Sequence, residues 1–207
     1  TELAVLDTET PQIARFSADS GLLSIGIAQN EVKVWSLADP EHPEQLPSVT
    51  TDSNPSVTAM SPAGPMLAAG TDRGTVSVWD LSNVQEPKLI HEYHQSQAAV
   101  YGLNFSPDGK HWACVAKREG KKFLVVDGTA GPAYEDIANP SYSPDGKHIA
   151  HRAAMADKEM VVLDGKPLPA WDMVLDNGPT FRSDGTLEYA GMKRDGRTGS
   201  PRERSIA

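Results

Sequence analysis

The chain has 207 residues, a formal net charge of −9 and 39% hydrophobic residues, a composition typical of folded globular proteins and unlike that of disordered ones. The excess of negative charge argues against nonspecific nucleic-acid binding, and the lack of an apolar run of about 18 residues argues against membrane insertion. The single cysteine, Cys114, excludes an internal disulfide. The first residues lack a signal-peptide pattern, which leaves both a cytoplasmic and a periplasmic location open.

The elements predicted in chain order are short strands separated by turns. The 16 prolines and 17 glycines are spread along the chain, as in proteins built from many short strands. A first strand is predicted over Glu2–Asp7. Five repeats then begin near residues 13, 57, 101, 138 and 178.

Each repeat contains one copy of a related turn. The copies are FSADSG at Phe16, MSPAGP at Met60, FSPDGK at Phe105, YSPDGK at Tyr142 and FRSDGT at Phe181. In FSPDGK, the four residues from Ser106 to Gly109 suit the successive positions of a type I turn. The copies lie 37 to 45 residues apart. This period is typical of four-stranded propeller blades, which stack because one blade cannot bury both of its faces alone.

The third strand of each of the first four repeats is strongly apolar and is predicted to be buried on both faces. These strands are VKVWSL at Val32, VSVWDL at Val76, FLVVDG at Phe123 and MVVLDG at Met160. The sequence therefore predicts an all-β fold, a single β-propeller domain over residues 1–195 with about five antiparallel blades. Residues 196–207 are a polar tail or an incomplete last blade, so the chain is either a five-bladed ring closed by Glu2–Asp7 or part of a larger propeller.

Two stretches resemble known repeat families. Leu67–Leu81, LAAGTDRGTVSVWDL, resembles the second and third strands of a WD repeat, including the closing Trp79 and Asp80. Val125–Ala153 is more similar to the PD-type repeats of TolB-like bacterial propellers. The resemblance covers about residues 13–195 and implies the fold without a particular activity, because such propellers serve many unrelated roles.

The chain also departs from the WD pattern. The usual Gly-His dipeptide is absent, with His94 nearest to its place, and Ser36 stands where the next repeat has Asp80. The network of hydrogen bonds that this family forms among His, Asp and Trp is therefore expected to be incomplete. Packing is expected to contribute correspondingly more to stability.

No catalytic residue, cofactor or metal site is predicted. Nucleophile-elbow, Walker, zinc-protease and CxxC motifs are absent. His91 and His94 would point to opposite faces of a strand and would not share a metal. The turn aspartates occur once per repeat, so they would not converge on calcium. Cys114 lies in an apolar strand, which favours a buried, inert thiol.

The charged turns are the predicted binding features. Connections after the third strands, such as Asp127–Ile137, together with the SPDG turns predict an acidic edge. Basic residues occupy the turns at the other edge: Lys117, Arg118, Lys121 and Lys122 in the third repeat, and Lys193 and Arg194 in the fifth. Either these charges are simply solvated, or they form a docking surface for a charged partner. Trp171 is a further candidate contact, whereas Trp35 and Trp79 are interpreted as blade packing.

The function that fits this sequence best is a non-catalytic scaffold, which binds another protein or another domain of its own chain through its loops. A nucleic-acid partner is not predicted, and no small-molecule substrate is evident. The alternative is a propeller associated with an enzyme, either a gating domain resembling that of prolyl oligopeptidases or a carbohydrate-active propeller. The first would need an appended hydrolase domain, and the second would need convergent acidic residues.

Overall fold

The computed structural model describes residues 11–94, 99–175, 178–194 and 202–206. These residues form twenty strands in five sheets and include no helix, so none that is long and apolar enough to cross a membrane. The predicted strand Glu2–Asp7 lies outside the described residues. Contacts divide the chain into a first unit, Thr1–Phe105 with Cys114–Arg118, and a second unit, Ser106–Ala113 with Glu119–Ala207.

The first two sheets each contain four strands in chain order, paired antiparallel. The first sheet comprises β1 (Pro11–Phe16), β2 (Leu22–Ile27), β3 (Glu31–Ser36) and β4 (Glu44–Thr50). The second comprises β5 (Pro55–Met60), β6 (Met66–Thr71), β7 (Thr75–Asp80) and β8 (Lys88–His94). This is the up-and-down order of a propeller blade.

The third and fourth sheets repeat this order. The third comprises β9 (Val100–Phe105), β10 (Trp112–Arg118), β11 (Lys121–Val126) and β12 (Thr129–Tyr134). The fourth comprises β13 (Asp136–Tyr142), β14 (Ile149–Met155), β15 (Lys158–Leu163) and β16 (Lys166–Pro167). The register between β13 and β14 shifts between Ala138 and Ser141, which marks a bulge beside the middle of β14.

The fifth sheet is less regular. It comprises β17 (Met173–Val174), β18 (Thr180–Phe181), β19 (Leu187–Met192) and β20 (Arg202–Ile206). β17 and β18 both pair with β19, at opposite ends of it, and together they occupy the position of a first strand. β20 also pairs with β19 and occupies the position of a third strand. The sequence 202–206 is therefore a strand of this sheet.

Apolar side chains from the strand faces form the core of each unit. In the first unit one cluster joins the first and second sheets: Val32, Val34, Leu46, Val49, Leu67, Ala69, Trp79 and Leu81. In the second unit a cluster joins the fourth and fifth sheets: Ala150, Val161, Trp171, Val174, Leu187 and Tyr189. Trp35 is also buried, so the interpretation of Trp35 and Trp79 as packing residues is confirmed. Apolar burial of this kind is the main favourable term in folding.

The SPDG turns have the predicted hydrogen bonding. The Gly109 amide donates to the Ser106 carbonyl at 2.9 Å, and the same bond forms between Gly146 and Ser143. The serine side chains of both turns are almost completely buried, and each donates to the turn aspartate. The turn therefore satisfies its own polar groups while it reverses the chain.

The connections after the third strands differ from the prediction in the second unit. β11 and β12 are joined by Asp127 and Gly128 alone, both with positive φ, and β15 and β16 by Asp164 and Gly165 in the same way. Two residues with positive φ form the type I′ turn that fits the twist of a tight hairpin. Most of Asp127–Ile137 is consequently strand, and Glu135 lies at the far end of β12. The prediction of one long acidic connection there is wrong.

Candidate functional site

Lys117 and Arg118 lie at the exposed end of β10 and belong to the first unit. They follow five buried residues, Trp112–Ala116, so the strand leaves the core at this point. Within the described ranges, no ion pair or hydrogen bond of the Lys117 side chain is seen. These two predicted residues are therefore accessible for contact with a partner.

Lys121 and Lys122 face carboxylates that precede or begin the next strand. The Nζ of Lys121 lies 3.4 Å from Oε1 of Glu135, and the Nζ of Lys122 donates to Oδ1 of Asp136. These pairs connect β11 of the third sheet to the start of β13 in the fourth. The positive charge expected from these two lysines is therefore offset.

A similar link recurs one repeat later. Lys158 donates to Oδ1 of Asp172, a separation of 14 residues that also holds for Lys122 and Asp136. The other carboxylate oxygen of Asp172 accepts the backbone amide of Arg194. The Lys158 contact and then the Arg194 amide lower the pKa of Asp172. We call the two Lys–Asp pairs the strand staples, because each connects a third strand to the residue that begins or precedes the first strand of the following sheet.

The expectation that Trp171 is an exposed contact is wrong. Its side chain is only 6% exposed, and its backbone pairs with Glu159 at 2.8 and 3.0 Å. Its ring lies where a Cβ on Gly191 would come within 2.1 Å of Cδ2, so a glycine is needed there. The Nζ of Lys193 lies 5.3 Å from the ring centroid, within the range of a cation–π contact. Lys193 and Arg194 are exposed, but both of them contact this core segment.

A His–Asp pair connects two turns at the same edge of the third sheet, and an equivalent pair does so in the fourth sheet. Oδ2 of Asp127 lies 2.6 Å from Nδ1 of His111, and Oδ1 accepts the Trp112 amide at 2.9 Å. Asp164 makes the same two contacts with His148 and with the Ile149 amide, at 2.7 and 2.9 Å. Each aspartate of a hairpin turn therefore fixes the histidine that follows the SPDG turn.

The SPDG aspartates are held as anions. Hydrogen bonds from Ser106 and from the Lys110 amide lower the pKa of Asp108 to about 2. Ser143 and the Lys147 amide lower the pKa of Asp145 to about 2 in the same way. Hydrogen bonds to a carboxylate favour its charged form. The interpretation of these aspartates as turn residues agrees with the contacts that they make.

A pocket of about 440 Å³ lies within the second unit, between β11 and β12 on one side and β13 and β14 on the other. Both His–Asp pairs line it, together with Tyr134 and His151. His151 is 2% exposed, and neither of its ring nitrogens has a hydrogen-bond partner in the part of the chain that the structure describes. Burial lowers the pKa of His151 to about 4, so its imidazole is neutral near pH 7.

Other reactive side chains have structural surroundings. Cys114 is fully buried, and desolvation raises the pKa of its thiol to about 12, so the predicted burial is confirmed. Thr75 donates to Asp52 at 2.6 Å and lies 3.1 Å from Nδ1 of His94. These contacts join Asp52, Thr75 and His94, and they do not overturn the expectation, which concerned a network that also includes Trp. Because Asp52 contacts the hydroxyl and not the histidine, the trio lacks the order of nucleophile, base and orienting group.

Among residues 11–94, 99–175, 178–194 and 202–206, no group of three or more His, Cys, Asp and Glu side chains is placed to hold a metal ion. His91 and His94 both lie on β8, and His94 contacts Glu92 and Thr75. The structure therefore places these two histidines on a strand and not in a loop.

Comparison with known proteins identifies the fold. Residues 44–80, from the start of β4 to the end of β7, match the family model of the WD domain, G-beta repeat. The chain is similar to a chain of Kuenenia stuttgartiensis Hydrazine Synthase, with 16% identity, a TM-score of 0.56, and coverage of 98% of this chain and 64% of that one. The fold is a β-propeller.

Two further solved structures support this assignment. A chain in the Mitotic Checkpoint Complex has 13% identity and a TM-score of 0.64, with 97% of this chain and 66% of that chain covered. The β-propeller domain of Myceliophteria thermophila Cps50 (Swd1) has 15% identity and a TM-score of 0.64, with 94% and 68% covered. No curated protein matches the sequence. The chain spans about two thirds of the length of these propeller chains, and the TolB-like resemblance stays a prediction.

The sequence interpretation missed the strand staples, the His–Asp pairs and His151. Two of these had a signal in the sequence. In two neighbouring repeats, a Lys that follows another Lys or an Asp has an Asp 14 residues later. In the same two repeats, SPDGKH is followed by an Asp-Gly dipeptide. His151 had none, since its burial depends on how β12 and β13 pack around it.

Proposed function

We propose that this chain is a non-catalytic β-propeller that binds another protein, or another domain of its own chain, along its exposed outer strand β8. The observation that carries the proposal is the adjacent pair Leu89 and Ile90, which are 47% and 37% exposed. Leu89 pairs with Trp79 and His91 with Val78, so Ile90 is the extra residue of a β-bulge and both apolar side chains lie where β8 departs from regular pairing. Large exposed apolar side chains that are contiguous mark interaction sites more often than isolated ones do.

The position of β8 in its sheet suggests how a partner would bind. β8 is the last strand of the second sheet, and among the described residues it pairs with β7 alone. An edge strand offers a row of backbone amides and carbonyls to an extended peptide, which gives affinity, while side chains on alternate faces give specificity. We therefore infer that the partner contributes an extended segment with apolar side chains that contact Leu89 and Ile90.

Lys117 and Arg118 are a second candidate contact. Both residues are exposed at the end of β10, and among the described residues no ion pair of the Lys117 side chain is seen. An acidic partner segment would be attracted by their charge, chiefly through a faster association rate. The staple residues Lys121 and Lys122 are poorer candidates, because a partner would have to compete with their carboxylates.

Matched variants test the proposal. The wild-type chain and the variants Leu89→Lys and Met155→Lys are used as bait, and captured proteins are compared by mass spectrometry after chemical crosslinking. Met155 is the control, because it is 46% exposed and apolar but lies in the second unit. A specific partner is expected to be retained by wild type and Met155→Lys and lost by Leu89→Lys. Retention by all three chains would contradict binding along β8.

The charge contribution is tested separately. Lys117→Glu with Arg118→Glu is compared with Lys166→Glu, an exposed lysine on β16. We expect the double variant to slow association of the captured partner and the control to leave it unchanged. Equal association rates for both would remove these two residues from the contact surface.

The enzyme-associated alternative stays a prediction. One of the similar solved structures is named as a hydrazine synthase, so propeller chains of this fold do occur in enzymes. The sequence that flanks this chain in its gene distinguishes the two functions, because a gating domain would be joined to a hydrolase domain with a nucleophile elbow. Hydrolysis by the chain alone, without any partner, would contradict the scaffold proposal.

A further inference from the structure

The pocket between the third and fourth sheets has the size and composition of a small-ligand site. Its volume of about 440 Å³ lies within the range of ligand pockets. Leu124, Val126, Pro132 and Ile149 line it with apolar surface, and the ring of Tyr134 lies near that of His151, with centroids 6.0 Å apart. A flat, mainly apolar group would find complementary walls here.

His151 supplies an unused polar group inside this pocket. The side chain is 98% buried, since only 2% of it is exposed, and neither ring nitrogen has a partner within the described residues. The register shift between Ala138 and Ser141 lies opposite this point of β14. A neutral imidazole has one donor and one acceptor nitrogen. Because buried polar groups are nearly always hydrogen-bonded, an unpaired imidazole that lines a cavity indicates a missing partner.

The mouth of the pocket has a different chemistry. His111 and His148 are about half exposed, at 47% and 54%, so they lie nearer to solvent than His151. Their Nδ1 atoms face Asp127 and Asp164, whose side chains are 41% and 40% exposed. Lys147 is the basic residue of the lining, and its charge is offset by Asp145 at 3.4 Å. The mouth therefore carries an excess of negative charge and favours a cation.

We propose that this pocket binds a small aromatic amine, with its ring against the apolar walls, a hydroxyl group on His151 and its ammonium group at the carboxylates of the mouth. His151 is the most buried of these groups and Asp127 and Asp164 are more exposed, so the hydroxyl group would lie deepest and the ammonium group nearest to solvent. The proposal is independent of partner binding on β8, which belongs to the first unit. It adds a small-molecule ligand that the sequence did not indicate.

Three related probes test each feature on the whole 207-residue chain. Tyramine carries the ring, the hydroxyl and the ammonium group, phenethylamine lacks the hydroxyl, and 4-hydroxyphenylacetate replaces the ammonium group with a carboxylate. Titration by calorimetry and by ligand-observed NMR is expected to give a dissociation constant for tyramine on the order of 1 mM or below. Phenethylamine is expected to bind about tenfold more weakly, as for one lost hydrogen bond, and the acid more weakly still.

The variant His151→Phe completes the test. It is expected to reduce the affinity for tyramine to that for phenethylamine while leaving phenethylamine binding unchanged. If this variant does not fold, the imidazole resonances of labelled wild-type His151 are followed instead, and they are expected to shift with tyramine and not with the acid. Equal affinities for the three probes, or no binding up to about 10 mM, would overturn the proposal and leave an ordered water as the partner of His151.

Discussion

The unfolding free energy of the wild-type chain is expected to decrease as the pH falls. The variant His151→Phe is expected to lack the part of this decrease that comes from His151. Burial lowers the pKa of His151 from its ordinary 6.5 to about 4. Between these two values the unfolded chain binds a proton and the folded chain does not. The unfolding free energy therefore decreases as the pH falls through this window. The stability that the neutral His151 maintains is fully present only above about pH 6.5.

The size of the effect follows from the two pKa values. Each unit of difference corresponds to about 1.4 kcal/mol, and between about pH 7 and pH 5 roughly 2 kcal/mol of unfolding free energy is lost through this residue. The SPDG aspartates do not contribute in this window, because the pKa values of Asp108 and Asp145 are about 2. The charged and titratable groups that share the pocket with His151 are Tyr134, Tyr142, Lys147, His111, His148, Asp127 and Asp164.

The measurement is urea unfolding of wild type and His151→Phe at several pH values, followed by fluorescence. The difference between the two chains is expected to change by about 2 kcal/mol between pH 7 and pH 5. Because desolvation and not a charge pair is the cause, added salt is expected to leave this change intact. A pH dependence that is the same in both chains would refute the assignment of His151 as a buried neutral imidazole.

Three further predictions test the packing and the staples. Gly191→Ala places a methyl group against the Trp171 ring and is expected to lower the unfolding free energy by about 2 to 3 kcal/mol, as measured by chemical denaturation. The control Gly64→Ala, at a position with open space around it, is expected to change the unfolding free energy little. Asp136→Asn breaks a strand staple and is expected to cost about 0.5 kcal/mol, a loss that shrinks in high salt if the pair acts through its charge. Cys114 is expected to resist alkylation near pH 8 in the folded chain and to react on unfolding, as mass spectrometry would show.

The blades could be predicted from sequence because their signals are local. A serine, proline, aspartate and glycine in order determine a turn within four residues at Ser106 and at Ser143, and a related turn occurs once in each of the other repeats. The Asp-Gly hairpins were also readable in principle, since Asp127–Gly128 is a strong hairpin signal between apolar strands. The interpretation of Asp127–Ile137 as one connection placed Glu135 at the predicted acidic edge. In the structure Glu135 lies at the opposite end of β12 from Asp127.

The surroundings of single side chains depend on contacts distant in sequence. Trp171 follows a proline-rich segment and appears loop-like, yet Gly191 leaves room for its ring in the core. Lys122 is part of a basic turn in sequence and part of an ion pair in the fold. The Lys122 pair has a weak signal in the 14-residue spacing that recurs at Lys158, whereas nothing in a single sequence marks Gly191 as the residue that makes room for Trp171.

Hydrogen exchange on the chain with its captured partner tests the proposed function most directly. Edge-strand amides exchange readily when water is their only partner and are protected when an added strand accepts their hydrogen bonds. The proposal predicts new protection in Lys88–His94 on complex formation, with the side chains of Leu89 and Ile90 buried. Protection confined to the second unit, with β8 unchanged, would contradict binding along this strand.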